Sequence, residues 1–110
     1  MPLSEKVRIE IFIPNLRDPV YGGILDKLGN ELTYAFGGST VLEASGKYRS
    51  STGSILPDTV HLLFSDTPFV WVRDRLLIQT YAERIRTVVK RALSREESIL
   101  VVAYPVTHAE

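Results

Sequence analysis

The stretch Val7-Arg8-Ile9-Glu10-Ile11-Phe12-Ile13-Pro14 constrains the fold more than any other part of the chain. Large apolar residues stand at every second position, the period of a strand with one buried face. Val7, Ile9, Ile11 and Ile13 must meet a covering layer, while Arg8, Glu10 and Phe12 point the other way. Pro14 ends the ladder because it has no amide hydrogen to donate. The rest of the chain has to supply the neighbouring strands and the cover.

Asp18-Pro19 reads as a helix start, with aspartate as N-cap and proline at the first helical position. Ile24, Leu25, Leu28, Leu32, Ala35 and Phe36 follow at helical spacing. Gly22, Gly23 and Gly29 weaken this helix by about 1 kcal/mol each relative to alanine. The helix therefore begins near Ile24, or another backbone approaches the glycines. Gly37-Gly38 stops it. A second strand runs from Ser39 to Ser45 and extends toward Arg49, before the turn cluster Ser50-Ser51-Thr52-Gly53. Thr59 to Ser65 is a third strand, with Pro57 just before it. Asp66-Thr67-Pro68 again combines an N-cap candidate with an early proline. A second helix starts between Phe69 and Asp74 and ends at about Leu93. Its apolar stripe is Leu77, Tyr81, Ile85, Val88 and Ala92, widened by Ile78 and Val89. Ser98 to Val106 is a last strand.

Strand, helix, strand, strand, helix, strand is the split βαβ or ferredoxin-like order. It implies an α+β fold, a four-stranded antiparallel sheet with two helices on one face. The usual strand order for this topology is 4-1-3-2. The Pro14–Pro19 loop, the Ser50–Gly53 hairpin and the Ser94–Glu97 turn then share one end of the sheet. The 110 residues make a single domain with an ordered core over about 5–106.

Thirteen basic and 13 acidic residues leave no net charge, so nothing global draws the chain to nucleic acid or anionic membrane. The absence of cysteine excludes disulfides and thiolate-bound metals. MPLSEKVRIE has no apolar run suited to a signal peptide, and no stretch approaches the ~20 apolar residues of a membrane span. A cytoplasmic, bacterial-type protein is the expectation.

Motifs for chemistry are sparse. Phe36-Gly37-Gly38-Ser39-Thr40 has its glycines after a helix and before a strand, the reverse of a phosphate cradle. The cations of the second helix, Arg73, Arg75, Arg84, Arg86, Lys90, Arg91 and Arg95, split to both sides of its apolar stripe and read as a solvated back. His61 and His108 make no metal-ligand spacing. Asp58 and Asp66 lie near opposite ends of one strand, too far apart for paired carboxylate chemistry. No catalytic residue, metal or cofactor is assigned.

The sheet face away from the helices is where function is expected. Parity places Arg8, Glu10 and Phe12 there, and phasing the third strand on Val60, Leu62 and Phe64 as core adds His61 and Leu63. The last strand is apolar on both sides from Ile99 to Ala103, although it forms an edge of the sheet, and a long apolar edge invites pairing. Self-association through the open face and last strand is the leading expectation, as a homodimer or larger closed assembly. Phe69-Val70-Trp71-Val72 reads as a flap or contact segment, or as core. The binding candidates are Arg8, Glu10, Phe12, Tyr48, Arg49, His61 and Tyr104. A binding or regulatory module fits them; so does a small enzyme with a pocket for a small molecule between protomers.

Ile11-Phe12-Ile13-Pro14-Asn15-Leu16 resembles the first short motif of the RNA recognition motif. The second motif of that family belongs on the third strand, where this chain has Asp58-Thr59-Val60-His61-Leu62-Leu63-Phe64-Ser65, without its glycines and aromatic pair. The six-residue match is read as coincidence, and single-stranded RNA binding stays a minor alternative. Phe36-Gly37-Gly38-Ser39-Thr40, Gly46-Lys47-Tyr48-Arg49, Gly53 and Asp58 together resemble a group of small uncharacterised bacterial α+β proteins. Their pattern is Phe-Gly-Gly-x-Thr, Gly-x-Tyr/Trp, Gly and an acidic residue. That resemblance supports the fold and implies no activity.

Overall fold

A computed structural model describes residues 3–14, 19–93 and 99–109. The elements are β1 (Leu3–Pro14), α1 (Pro19–Phe36), β2 (Thr40–Arg49), β3 (Ile55–Thr67), α2 (Arg75–Ala92) and β4 (Leu100–Ala109). The strands form one antiparallel sheet in the order β2-β3-β1-β4. This is the ferredoxin-like α+β fold, with α1 packed on β3 and α2 on β4. The expected Asp18 N-cap, Asn15-Leu16 and the Ser94–Glu97 turn lie outside the described residues.

Val7, Ile9, Ile11 and Ile13 are fully buried, as the alternation in β1 requires. The three isoleucines join Tyr21 and Leu32 of α1, Leu63 of β3, Ile85, Val89 and Leu93 from α2 and its end, and Ile99 before β4. Phe36, Phe69 and Tyr81 close one end of this core edge-to-face, with ring centroids 5.2–6.5 Å apart. The Phe69–Val72 segment is thus divided. Phe69 packs on the core, Trp71 lies under the Arg75 guanidinium at 4.3 Å, and Val72 is 83% exposed.

α1 begins at Pro19 despite its glycines, and nothing approaches Gly22 or Gly23 within 4 Å of an added Cβ. Neither a late start nor a close backbone accounts for them. Gly37 stops the helix with φ 92°. The N-cap of α2 is Asp74, not Asp66. Its carboxylate accepts from the Val70 amide at 2.8 Å and from Arg73. Its stripe also sits differently, with Ile78, Ile85 and Val89 buried while Leu77 and Val88 are exposed.

β3 is longer than its apolar run and contains Pro57 within it, opposite Lys47. Proline is tolerated there because, among the described residues, β1 stops pairing at Pro14 opposite Val60. Beyond that point β2 and β3 continue as a two-stranded ribbon, closed by Ser50–Ser54. The Ser50 amide bonds the Ser54 carbonyl at 2.8 Å, and Gly53 takes φ 88°. The ribbon helps make the molecule 49 Å long against 27 and 25 Å.

Candidate functional site

Strand register determines which side chains share the open face. Arg8 pairs with Asp66 and Tyr104, Glu10 with Phe64 and Val102, and Phe12 with Leu62 and Leu100. Directly opposed residues point the same way. The open face therefore carries Val60, Leu62, Phe64 and Asp66 from β3. On β2 the same parity gives Leu42, Ala44 and Tyr48.

His61 and Leu63 are the correction. Leu63 is fully buried opposite Ile11, and His61 stands opposite Ile13 beneath α1. The phase was misjudged because Val60, Leu62 and Phe64 are the bulkier set. The buried positions beyond Leu63 are filled by Ser65 and Thr67, whose hydroxyls donate to the Gly38 and Val7 carbonyls. Satisfied in this way, small polar residues occupy core positions at little cost. Arg49 is corrected as well, since next to Tyr48 it takes the opposite face and pairs with Ile55 on the helix side of the ribbon.

Two regions divide the open face. One end is a polar knot across three strands. Arg8 grips Asp66 with two bonds, Nε to Oδ1 at 2.7 Å and Nη2 to Oδ2 at 3.0 Å. His108 Nε2 lies 2.7 Å from the same Oδ2. The Tyr104 hydroxyl donates to Glu10. The Arg8 guanidinium, helped by His108, holds the Asp66 carboxyl below its ordinary value. Asp66 in turn raises Arg8, and the bond to Glu10 raises the Tyr104 phenol. Beside the knot is a shallow hollow of about 300 Å³ lined by Gly38, Ser39, Thr40, Phe64, Ser65 and Asp66. The other region is apolar: Phe12, Leu42, Val60, Leu62, Leu100 and Val102, with Tyr48 and Leu56 continuing it along the ribbon. Leu42 and Leu100 are about half exposed, at 49% and 53%.

Of the sequence candidates, Arg8, Glu10 and Tyr104 come together. Phe12 lies in the apolar region, Tyr48 far along the ribbon, and Arg49 and His61 behind the sheet. The seven therefore do not line one pocket. Asp66 and His108 were missed. Asp66 reads as an N-cap before Thr67-Pro68, and His108 falls past the expected strand end at Val106. The alternation of Tyr104, Val106 and His108 was the signal that β4 runs on. Phe64 was missed as an open-face aromatic, but its ring is covered by the Arg8 guanidinium 4.5 Å from the centroid.

His61 takes part in a separate array under α1. The Tyr21 hydroxyl lies 3.3 Å from the Ile13 carbonyl and 2.9 Å from His61 Nδ1. Which group donates in the Tyr21–His61 contact follows the imidazole tautomer. Nε2 of His61 faces Glu43 at 3.9 Å. Burial pushes the Tyr21 phenol up to about 12. Among the described residues no three His, Asp or Glu side chains converge to hold a metal ion, and no helix is long and apolar enough to cross a membrane. The chain matches no protein-family model, and a search of curated proteins finds no similar sequence.

Proposed function

We propose that the protein is a small cytoplasmic binding or regulatory module whose open sheet face is covered by a second copy of the chain. The observation that carries this reading is the apolar region around Phe12, Leu42, Leu62, Leu100 and Val102. It is solvated on a sheet whose other face already buries the core. Contiguous exposed apolar surface of this kind marks an interaction site. The surface of the whole chain supports it. The molecule exposes 7715 Å², about 1,600 Å² more than a folded monomer of 12.4 kDa is expected to show. Four strands over about eight residues present roughly 500 Å², and the two-stranded ribbon adds roughly 150 Å². Together, at roughly 650 Å², they approach the ~800 Å² per partner of a standard interface.

The covering partner is better read as protein than as RNA. Arg8 already occupies the face of Phe64, which leaves Phe12 without a second stacking ring in its own region. The polar knot satisfies its own charges and gives the contact a hydrophilic border.

Sedimentation or light scattering at micromolar concentration tests the reading. The expected mass is at least twice that of one chain. Leu62→Glu places a carboxylate in the centre of the apolar region without touching the core, and it should halve the mass while leaving the circular dichroism unchanged. A monomeric wild type, or a Leu62→Glu protein of wild-type mass, overturns the proposal. Mixed single-stranded RNA at low salt should give no mobility shift.

A further inference from the structure

The two edges of the sheet differ. β4 carries Pro105, opposite Val7 of β1, so its outer edge lacks a donor in mid-strand. β2 has no proline in its ten residues, lies outside the helices' main packing and is exposed along most of its length. A long bare edge is a template for another strand.

Which groups that edge presents follows from the hairpin. The Ser50 amide bonds the Ser54 carbonyl, so residues 50 and 54 form a hydrogen-bonded pair. Inward and outward groups alternate along an antiparallel strand. The amides and carbonyls of Val41, Glu43, Ser45, Lys47 and Arg49 therefore face outward.

That edge is complementary to itself. Laid antiparallel on the same edge of a second copy and centred on Ser45, odd positions meet odd positions, as the outward groups require. Glu43 then stands opposite Lys47 of the second copy, on the helix side. Leu42 stands opposite its Tyr48, on the open side. The small residues Ala44 and Gly46 meet beside the centre, and Val41 meets the aliphatic stem of Arg49. Each contact occurs twice across the two-fold axis. A slip that moves the centre to Ala44 loses both contacts, and one that moves it to Gly46 sets Glu43 opposite Arg49 but leaves Tyr48 opposite Ala44 and Lys47 opposite Ser45. Opposite charges and apolar–aromatic pairs directly across a ladder are what stabilise and register a strand pair.

We infer that β2 pairs antiparallel with β2 of a second copy, centred on Ser45, to make one continuous eight-stranded sheet. The contact is isologous and uses each copy's edge once, so it closes at two chains. It does not rest on the covering of the open face. Where both contacts form, one through an edge and one through a face, they build a tetramer if their axes cross and a filament if they do not.

The test is charge exchange read by mass. Glu43→Lys and Lys47→Glu each set like charges opposite one another, and each alone should lower the wild-type mass, by half from a dimer or tetramer and to a face-paired dimer from a filament. Mixing the two variants one to one restores opposite charges at every position and should restore the mass. Wild-type mass for the single variants, or no recovery on mixing, overturns the pairing. Recovery cannot come from the Glu43–His61 contact, because Glu43→Lys still lacks it in the mixture. Leu62→Glu, which addresses the open face, should not affect this recovery, so failure of one contact is distinguished from failure of the other. A second readout uses the absence of cysteine. Ser45→Cys places two thiols opposite each other at a Cα separation of about 5.5 Å, within disulfide range. It should form a covalent dimer on mild oxidation, while Arg49→Cys, with its copies eight residues apart along the ladder, stays monomeric on a denaturing gel. Equal cross-linking of both, or of neither, overturns the proposal.

Discussion

The half of the sheet built from β4 and α2 is tied down to its edge strand, whereas in the other half α1 anchors on β3 through Tyr21 and Leu32 and leaves β2 bare. On the β4 side, α2 presses Ile85, Val89 and Leu93 into the core beside Ile99. Asp66 of β3 joins Arg8 of β1 and His108 of β4 across the open face. On the β2 side, most residues of the strand are exposed, and the nearer helix carries three glycines. The edge that is already fastened is also the one blunted by proline. The loose edge is the one with a self-complementary sequence. Stability and association are therefore assigned to different strands. Substitutions on the β4 side should act on folding, and those on β2 mainly on assembly.

The largest contrast is between the apolar positions at the two edges. Ile99 is 6% exposed and Val41 48%. Ile99→Ala leaves a cavity between α2 and β4 and should cost about 2–5 kcal/mol in a urea melt. Val41→Ala trims a half-exposed side chain and, in dilute solution where copies are separate, should change stability by less than about 0.5 kcal/mol. Similar costs at the two positions would show that β2 is buried in the melting species and would erase the distinction.

The knot gives the next effect. Asp66→Asn loses the charge in two hydrogen-bonded contacts at a partly solvated site and should cost about 1–2 kcal/mol at pH 7. Arg8 holds the Asp66 carboxyl below its ordinary value in the folded chain. A depressed carboxyl contributes its full stability above the unfolded value and loses it as pH falls through the folded one. Urea melts of wild type and Asp66→Asn should therefore diverge at neutral pH and converge as the pH drops below the ordinary carboxylate range. A gap that persists in acid would assign the effect to packing.

This contrast also separates what the sequence made legible from what it did not. Element order and the buried face of β1 followed from periodicity and turn residues, because a single strong alternation admits one phase, and the strand order followed from the arrangement usual for that element order. β3 has large apolar residues on both faces, so periodicity admits two phases and size favours the wrong one. Ser65 and Thr67 decide it by finding backbone carbonyls that only the folded chain supplies. The knot was half legible. Arg8, Glu10 and Tyr104 follow from parity, but Asp66 reads equally well as a helix cap, and His108 depends on how far β4 extends. The bareness of β2 was not legible at all, since it depends on where the two helices come to rest.

α1 offers a way to strengthen the looser half. An added Cβ at Gly22 or Gly23 meets nothing within 4 Å, and neither glycine has a positive φ. Gly22→Ala and Gly23→Ala should each raise stability by about 0.4–1 kcal/mol, chiefly by restricting the unfolded chain. Thermal melts should show the two gains adding when combined, with the mass of the assembly unchanged. A loss of stability would mean that the first turns of α1 need the glycines for a contact outside the described residues.

The smallest effect sits on the β2 edge itself. Glu43 faces His61 at 3.9 Å with its side chain 68% exposed, so the contact is largely screened. In a single copy, Glu43→Gln should shift the urea midpoint by less than the equivalent of about 0.5 kcal/mol. In a chain paired through β2, the same substitution also removes the charge opposite Lys47, twice per dimer. Its effect should then depend on protein concentration, negligible in dilute solution and measurable where the pair is populated. A shift of equal size at every concentration would assign Glu43 to His61 alone and leave β2 an unpaired edge.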